Sequence, residues 1–343
     1  MDVAFERFAK INESHVANYE HFDHAFRDKF FNRKHDEKKN SPTVYVEEIR
    51  VDSNKRLPKA IKIAFANTQV KLSNVILGMR GTPNLSSDRY DSLAGILNAA
   101  SKENSNLLLF PECFIPVNLL SSLAKYSERN DVAIITGTEH VRVNDTVFNF
   151  VVTILPIEVD GVSDAVVSIR LKNHYSHEEQ SLIKGDHLKV PLPKVYRHDI
   201  FNWRNLYFSP YYCFELANVW HRSLLKSKLD MLVGVEWNKD TNYFSNIVES
   251  CARDLHCFIA QVNTSQYGDS RLTQPTESAR MDLLRLKGGL NDTILVSEIE
   301  LAGIREFQRK TYEATREKRE YKPLPPDYDH NLVLKRINNE SVL

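Results

Sequence analysis

The sequence contains few cysteines, and their spacing excludes a disulfide-stapled protein. The four cysteines in 343 residues are too far apart to form a C-x-x-C pair. So few cysteines in so long a chain do not indicate a disulfide framework. A reducing, cytoplasmic location is therefore expected. The four are Cys113, Cys213, Cys251 and Cys257.

The chain also lacks an excess of either charge and a long apolar run. Its 45 Lys and Arg residues balance 45 Asp and Glu residues, so no net positive field favours nucleic acid or an anionic lipid surface. No apolar run approaches the ~20 residues that a membrane-spanning helix needs. The opening segment, MDVAFERFAK, carries acids and has no long apolar core, unlike a signal peptide. We therefore expect no nucleic-acid partner and no membrane association.

The patterning that is present divides the chain into three parts. Residues 1–60 are predicted to form a helical N-terminal extension and linker, because apolar residues recur there at three- and four-residue steps before the chain becomes polar. Residues 61–305 alternate short β-rich runs with helical patterns, and several strands are apolar at nearly every position. This part predicts one α/β layered domain. Residues 306–343 are predicted to be a charged helix followed by a Pro-rich tail.

Three reactive side chains follow predicted strands. Glu112 comes after LLLFP, Lys172 after AVVSIRL, and Cys213 after the apolar and aromatic run LYFSPYY. In layered α/β folds, residues at strand ends converge on crevices. A thiol nucleophile, a carboxylate that takes its proton and an ammonium group that stabilises an oxyanion are what acyl transfer through a thioester requires. The three residues are therefore candidates for one catalytic site.

Each of these residues also has an ordinary structural explanation. A free cysteine is most often a small buried apolar residue. A Glu or Lys beyond a strand is most often a solvated loop residue. The separations of the three residues along the chain do not form a motif, so the residue types alone leave both interpretations open.

The segments around these residues, taken in order, resemble the carbon–nitrogen hydrolase (nitrilase) superfamily. That family has an acid after Phe-Pro, a lysine at a later strand end, and a cysteine followed by an aromatic residue and an acid. Here Glu112, Lys172 and Cys213 match, and Phe214 and Glu215 complete the last motif. The resemblance runs from about residue 61 to 305 and includes LVGVEWN and ESCARDLHCFIAQVNTSQYGDS.

The resemblance implies a fold and a reaction. The fold would be a four-layer α-β-β-α sandwich that assembles into a homodimer or higher homo-oligomer. Glu112 would act as general base, Cys213 would attack a carbonyl or nitrile carbon, and Lys172 would bind the oxyanion. A small-molecule amide, in preference to a nitrile, would be hydrolysed through a thioester. No metal and no organic cofactor would be required.

Three further residues are predicted to support the site. The family has a second glutamate soon after the lysine. Glu178 matches it best, with Glu179 as the neighbouring alternative, although two acids at a helix start are also favoured by the helix dipole. Trp237 and Asn238 follow a predicted strand and are candidate substrate-pocket residues. Trp237 could equally belong to the core.

The chain departs from the family pattern in three places, and these departures put the substrate in doubt. LANVWHRS replaces the usual residues after the cysteine motif, and GDSRLTQPTESARMD replaces a short Gly-x-Ser turn. The segment from the lysine to the second glutamate, NHYSHE, is short. They resemble a divergent branch with nitrilase-like domains associated with bacterial antiviral reverse transcriptases. Two alternatives therefore stay open: N-acyl transfer, and a partner-binding module with little turnover that uses its N-terminal helices or C-terminal tail. The retained Glu, Lys and Cys favour an enzyme.

Overall fold

A seven-stranded β-sheet forms one of the two central layers of the molecule. The structure is a computed structural model that describes residues 42–310 and 320–343. In spatial order the strands are β1 (Thr43–Val51), β9 (Val195–Trp203), β10 (Leu206–Tyr212), β11 (Met231–Val235), β12 (Phe258–Val262), β13 (Ser270–Thr273) and β14 (Asp282–Leu286). Strands β9 and β10 are antiparallel, whereas β10, β11 and β12 are parallel.

A six-stranded sheet forms the second central layer. In spatial order its strands are β15 (Thr293–Glu300), β2 (Ala60–Asn67), β3 (Leu107–Leu109), β4 (Ala133–Gly137), β7 (Phe150–Val159) and β8 (Val162–Leu171). Strands β2, β3 and β4 are parallel, and β7 is antiparallel to both β4 and β8. Strand β8 therefore runs in the same direction as β3. A small hairpin, β5 (Val141–Val143) and β6 (Thr146–Phe148), lies outside both sheets.

Helices flank the two sheets, and most of those assigned to a core pack on an outer face. Their bounds are α1 (Leu72–Met79), α2 (Ser87–Lys102), α3 (Leu120–Asn130), α4 (His177–Gly185), α5 (Val219–Ser223), α6 (Thr241–Asp254), α7 (Leu301–Gln308) and α8 (His330–Ile337). Buried residues of α1 to α4 join the core outside the six-stranded sheet. Buried residues of α6 join the core outside the seven-stranded sheet.

The alternation of side chains along the strands explains the layering. Leu107 and Leu109 pack between the two sheets, while Leu108 packs under the helices. In β12 the inter-sheet core takes Phe258 and Ala260, and Ile259 faces the helices. Because both faces of these strands are buried, the sequence is apolar at nearly every position there, and Gln261 in β12 is the exception. The predicted four-layer α-β-β-α sandwich is confirmed.

The structure corrects one part of the predicted organisation. Strand β1 falls within the segment predicted as helical extension and linker, but it pairs in parallel with β9 as part of the seven-stranded sheet. Its sequence, TVYVEEIRV, is rich in the β-branched residues that favour strands. The predicted N-terminal helices fall mainly on residues 1–41, outside the described residues. Within the described residues, no helix has both the length and the apolar character to cross a membrane.

Candidate active site

Four ionisable side chains come within three residues of the ends of strands and lie where the two sheets meet. Glu112 follows β3 and Lys172 follows β8, two strands that run in the same direction. Cys213 and Glu236 follow the parallel strands β10 and β11. A hydrogen bond from the backbone N–H of Glu112 to the carbonyl oxygen of Glu236, at 3.2 Å, joins the two sheets at this point. Strand ends from the two sheets therefore meet at this point.

Lys172 is the centre of the cluster. Its Nζ donates to Glu112 Oε1 at 2.6 Å and to a carboxylate oxygen of Glu179, and the side chain is only 2% exposed. The rings of Tyr175 and Tyr212 lie 5.3 and 5.1 Å from Nζ. Burial alone would lower the pKa of Lys172, but the two carboxylates outweigh it and raise the pKa well above its usual value. Lys172 is therefore a fixed positive charge.

Glu112 is buried, and one of its carboxylate oxygens accepts hydrogen bonds from two donors. Besides Lys172, the side-chain amide of Asn149 donates to Oε1 at 3.4 Å. Burial raises the pKa of Glu112 to about 7, although Lys172 opposes this and Glu179 adds to it. A carboxyl group with a pKa near the ambient pH can both accept and return a proton. Glu112 therefore meets the requirement for a general base.

Cys213 begins a short 3₁₀ turn that runs to Ala217. It is half-buried, whereas the other three cysteines are buried. Burial raises the pKa of its thiol well above the usual value, and the charges of Glu236 and Glu112 raise it further while Lys172 lowers it. The thiol is therefore protonated at neutral pH. A nucleophilic role requires a neighbouring base to take that proton.

Glu215 fixes the two chain segments that carry Cys213 and Lys172. It lies at the third position of the 3₁₀ turn, and its carboxylate accepts two hydrogen bonds from Arg170, at 2.9 and 2.7 Å. The same carboxylate accepts the backbone N–H of Tyr212 at 3.0 Å and that of Asn173 at 2.6 Å. Tyr212 precedes the cysteine and Asn173 follows the lysine, so one buried carboxylate sets the relative position of both.

The second glutamate near Lys172 is Glu179, and the prediction of Glu178 is corrected. The side chain of Glu178 is 74% exposed and pairs with Lys239 at 2.8 Å, whereas that of Glu179 is 8% exposed and contacts Lys172. The Ser176 hydroxyl caps α4 by accepting the backbone N–H of Glu179. Consecutive helical residues point about 100° apart, so only one of the two acids can face the sheet. The sequence could not fix the helical phase.

Glu179 is held by a second partner, His140. The imidazole Nε2 of His140 lies 3.1 Å from Glu179 Oε1. Burial would raise the pKa of Glu179, but Lys172 and His140 outweigh it and lower the pKa to about 2. Glu179 therefore stays ionised at neutral pH and holds the ammonium group of Lys172 in place.

A paired substitution tests which glutamate supports the lysine. Glu179→Gln is expected to raise the alkylation rate of Cys213, because the charge of Glu179 raises the pKa of that thiol. It should also lower stability by about 1–3 kcal/mol, since a buried group bonded to a charge loses its partner. Glu178→Gln is the matched control and should change neither, because it removes only an exposed acid. Thermal unfolding and iodoacetamide labelling measure both effects. Equal behaviour of the two variants would contradict the assignment.

Trp237 and Asn238 lie beside the cluster, directly after Glu236. Trp237 packs against the core outside the six-stranded sheet. The backbone N–H of Asn238 donates to Asn263 Oδ1 at 3.0 Å. Trp237 Nε1 and Asn238 Nδ2 are buried and form no hydrogen bond with the residues that the structure describes. Two buried donors without acceptors therefore follow Glu236 directly, and such groups are uncommon in native structures.

Several site residues carried no signal in the sequence. Asn149, His140 and Tyr212 are ordinary strand or loop residues by pattern, and Glu236 lies inside LVGVEWN without a distinguishing neighbour.

Gly137, at the end of β4, is required because Glu112 and the ring of Tyr212 pack closely against it. A Cβ atom there would lie 2.8 Å from Glu112 Cα and 3.0 Å from the Tyr212 ring. Its role follows only from the packed structure.

Comparison with known proteins links the fold to one superfamily. The sequence matches no family model and no curated protein. A CN-hydrolase superfamily protein from Xanthomonas campestris, with an arsenic adduct in its active site, is 14% identical with a TM-score of 0.51, and the match covers 73% of this chain and 94% of that one. An amidase from Nesterenkonia sp. is 14% identical with a TM-score of 0.51, over 78% of this chain and 99% of that one.

A third similar structure carries a covalent adduct. It is a mutant of the amidase from Nesterenkonia sp. AN1, with the acetamide moiety of fluoroacetamide added at the active-site cysteine. It is 14% identical with a TM-score of 0.52, and the match covers 78% of this chain and 100% of that one. At this identity the likeness concerns the fold.

Proposed function

We propose that this chain, whose fold is that of the CN-hydrolase superfamily, is a divergent member and hydrolyses a carbon–nitrogen bond of a small molecule through a thioester on Cys213. The bond is that of an amide in preference to a nitrile. The observation that carries the proposal is the buried ion pair between Lys172 and Glu112, with Nζ and Oε1 at 2.6 Å, whose charges both act on the half-buried thiol. Charges buried together in this way weigh against stability unless they are well paired, and they are common at functional sites.

The first half-reaction forms the acyl-enzyme. Glu112 takes the proton from the Cys213 thiol as the sulfur attacks the carbonyl carbon. The ammonium group of Lys172 and the backbone N–H after the cysteine stabilise the oxyanion that develops. The carbon–nitrogen bond then breaks, Glu112 returns its proton to the nitrogen, and ammonia or an amine leaves. A thioester is left on Cys213.

The second half-reaction uses the same groups. Glu112, again a carboxylate, takes a proton from water as the water oxygen attacks the thioester carbonyl. The oxyanion is stabilised as before, and collapse of the tetrahedral intermediate releases a carboxylic acid. The sulfur recovers its proton from Glu112. The pKa of Glu112, about 7, suits a group that must alternate between the two states.

The similar structures support an amide substrate. Two of those described above are amidases from Nesterenkonia, and one of these carries an acetamide moiety on its cysteine. These facts concern those proteins, and they make an amide the first substrate class to test here. The acyl group and the leaving amine are open.

A trapping experiment tests the proposed function. Glu112→Gln removes the base of both half-reactions, so Cys213 should be acylated slowly and needs a long exposure. An acyl group that has reached Cys213 should then persist, because no base remains to activate water. After exposure of this variant to a cell extract, intact mass spectrometry is expected to show an adduct, and peptide mapping should place it on Cys213. The control is Glu112→Gln combined with Cys213→Ala, which should gain no mass.

Thiol reactivity distinguishes an enzyme from a partner-binding module. In the wild-type chain, iodoacetamide is expected to modify Cys213 faster than the three buried cysteines. Equal, slow labelling of all four, together with no trapped adduct, would contradict the hydrolase. If the acyl group leaves Cys213 only when an amine is added to accept it, the reaction would instead be acyl transfer.

A further inference from the structure

Glu236 is the register neighbour of the proposed nucleophile. Strands β10 and β11 pair in parallel with Tyr212 opposite Val235, so the next residues along the two strands are Cys213 and Glu236. Neighbouring strands lie about 4.8 Å apart. Among charged groups, Glu236 has the largest effect on the Cys213 thiol. The structure therefore places a second acidic residue, besides Glu112, next to Cys213 at the end of the neighbouring strand.

The carboxyl group of Glu236 is completely buried and only half satisfied. The residue is 0% exposed. Its Oε2 accepts a hydrogen bond from the Gln261 side-chain amide at 2.8 Å, while Glu236 Oε1 and Gln261 Oε1 form no hydrogen bond with the described residues. A buried acceptor without a donor is unfavourable. A proton on Glu236 would turn one of these two acceptors into a donor.

The groups that face Glu236 also favour the protonated state. Burial has the largest effect, and the charges of Glu112 and Asp269 add to it. The amides of Gln261 and Asn238 act in the opposite direction, although Asn238 Nδ2 forms no hydrogen bond of normal geometry with the described residues. The balance raises the pKa of Glu236 to about 8.

We propose that Glu236 is a positioning residue for the sulfur of Cys213: it keeps its proton beside the nucleophile during catalysis, and loss of that proton suppresses the thiolate. The inference rests on the proposed function, in which Cys213 must ionise in order to attack. A neutral carboxyl group leaves the sulfur free to lose its proton to Glu112. An ionised Glu236 would place two negative charges on neighbouring strand ends.

The physical basis is coupled titration. Two acids this close do not ionise independently, because the first negative charge raises the pKa of the second. Once Glu236 is a carboxylate, the thiol of Cys213 ionises only at a higher pH. Glu236 therefore sets an alkaline limit on the reactivity of Cys213.

The test is the pH dependence of Cys213 alkylation in the wild type and in Glu236→Gln. Glutamine has the size of the protonated acid, so the two rates are expected to agree below about pH 7, where Glu236 is neutral. Above about pH 8 the variant should react faster. A coupling of about one pH unit gives a tenfold larger thiolate fraction and about a threefold higher rate, since a less basic thiolate is a weaker nucleophile.

The measured quantity is the ratio of the Cys213 alkylation rate in a variant to that in the wild type. The matched control is Glu178→Gln, which removes an exposed acid and should leave this rate ratio at unity at every pH. A ratio for Glu236→Gln that does not change with pH would overturn the proposal, because a packing defect has no reason to follow the ionisation of Glu236. If iodoacetamide does not reach Cys213, the ultraviolet absorbance of its thiolate, taken as the difference from Cys213→Ser, gives the same comparison.

Failure of the inference and failure of the proposed function are distinguishable. Absence of a trapped adduct in Glu112→Gln, with a rate ratio that still rises with pH for Glu236→Gln, would reject the hydrolase and leave the coupling intact. A trapped adduct, together with a rate ratio for Glu236→Gln that does not change with pH, would support the hydrolase and reject the coupling.

Discussion

Replacing Lys172 with methionine is expected to abolish turnover and to destabilise the fold at the same time. Loss of one oxyanion donor typically lowers kcat by about 10²–10³-fold. The same change leaves Glu112 and Glu179 without the ammonium group that both contact. Breaking a buried ion pair from one side typically costs about 3–5 kcal/mol. Denaturant unfolding measures the second effect, and the rate of adduct formation on Cys213 measures the first.

The stability loss in Lys172→Met should depend on pH in a definite direction. Without the lysine, the pKa values of Glu112 and Glu179 rise, because their largest favourable charge interaction is removed while burial continues to oppose ionisation. A carboxyl group whose folded pKa exceeds its unfolded value contributes stability below the unfolded pKa and loses it as pH rises. The stability difference between variant and wild type is therefore expected to be largest near about pH 8 and to shrink as the pH falls through about 7 towards about 2, the folded pKa values of the two carboxyl groups in the wild type.

A surface lysine provides the control for this experiment. Lys239 pairs with Glu178 at 2.8 Å, but both side chains are mostly exposed. Lys239→Met is expected to change neither the unfolding transition nor the labelling of Cys213, because exposed pairs are screened by water and salt. If Lys172→Met behaves like Lys239→Met, the buried cluster has neither of the roles assigned to it.

The sequence predicted the strand ends better than it predicted what surrounds them. LLLF, AVVSIRL and LYFSPYY are short apolar runs, so the residues after them could be placed at one edge of a layered α/β fold. The choice between Glu178 and Glu179 depended on a helical phase fixed by the Ser176 cap, which a short polar segment does not reveal. Pattern alone did not indicate strand β1 either, because its alternation is interrupted by two adjacent acids.

Glu236 and His140 show why part of the site could not be found from sequence. Each acts through a residue that is distant in the chain: Glu236 through Cys213, and His140 through Glu179. Such contacts depend on strand register and loop placement. The homo-oligomer, the cytoplasmic location, the link to the antiviral branch, and a partner bound through the N-terminal helices or the tail stay predictions.

The cluster around Cys213 holds more acids than bases, and this imbalance has a chemical consequence. Glu112 and Glu179 both contact the ammonium group of Lys172, and the charge of Glu112 in turn acts on Glu236. Three buried carboxylates that share one cation cannot all be ionised at low cost, so a proton stays on the carboxyl group whose ionised form is least stabilised. Glu179 contacts the lysine and ionises readily, while the pKa values of Glu112 and Glu236 rise to about 7 and about 8. A thiol in this setting depends on its neighbours for every proton transfer.

Glu215→Gln is expected to produce the second large effect, on stability and on site geometry together. The substitution leaves the buried guanidinium of Arg170 without its carboxylate, which typically costs about 3–5 kcal/mol. The pKa of Glu215 is lowered to about 2, because Arg170 outweighs burial. A lowered folded pKa gives stability that is present above the unfolded pKa and is lost as pH falls towards the folded value. The difference between wild type and variant should therefore shrink as the pH falls from about 4.5 towards about 2.

A double-mutant cycle separates the ion pair from its consequences for the site. If Arg170→Met and Glu215→Gln act through one interaction, the double variant should be less destabilised than the sum of the single variants. The exposed pair of Arg80 and Asp186, at 2.7 Å, is the control and should show no coupling. Recovered stability in the double variant is not expected to restore the reactivity of Cys213. The backbone N–H groups of Tyr212 and Asn173 would still lack the carboxylate that fixes the cysteine and lysine segments, so stability and reactivity would separate.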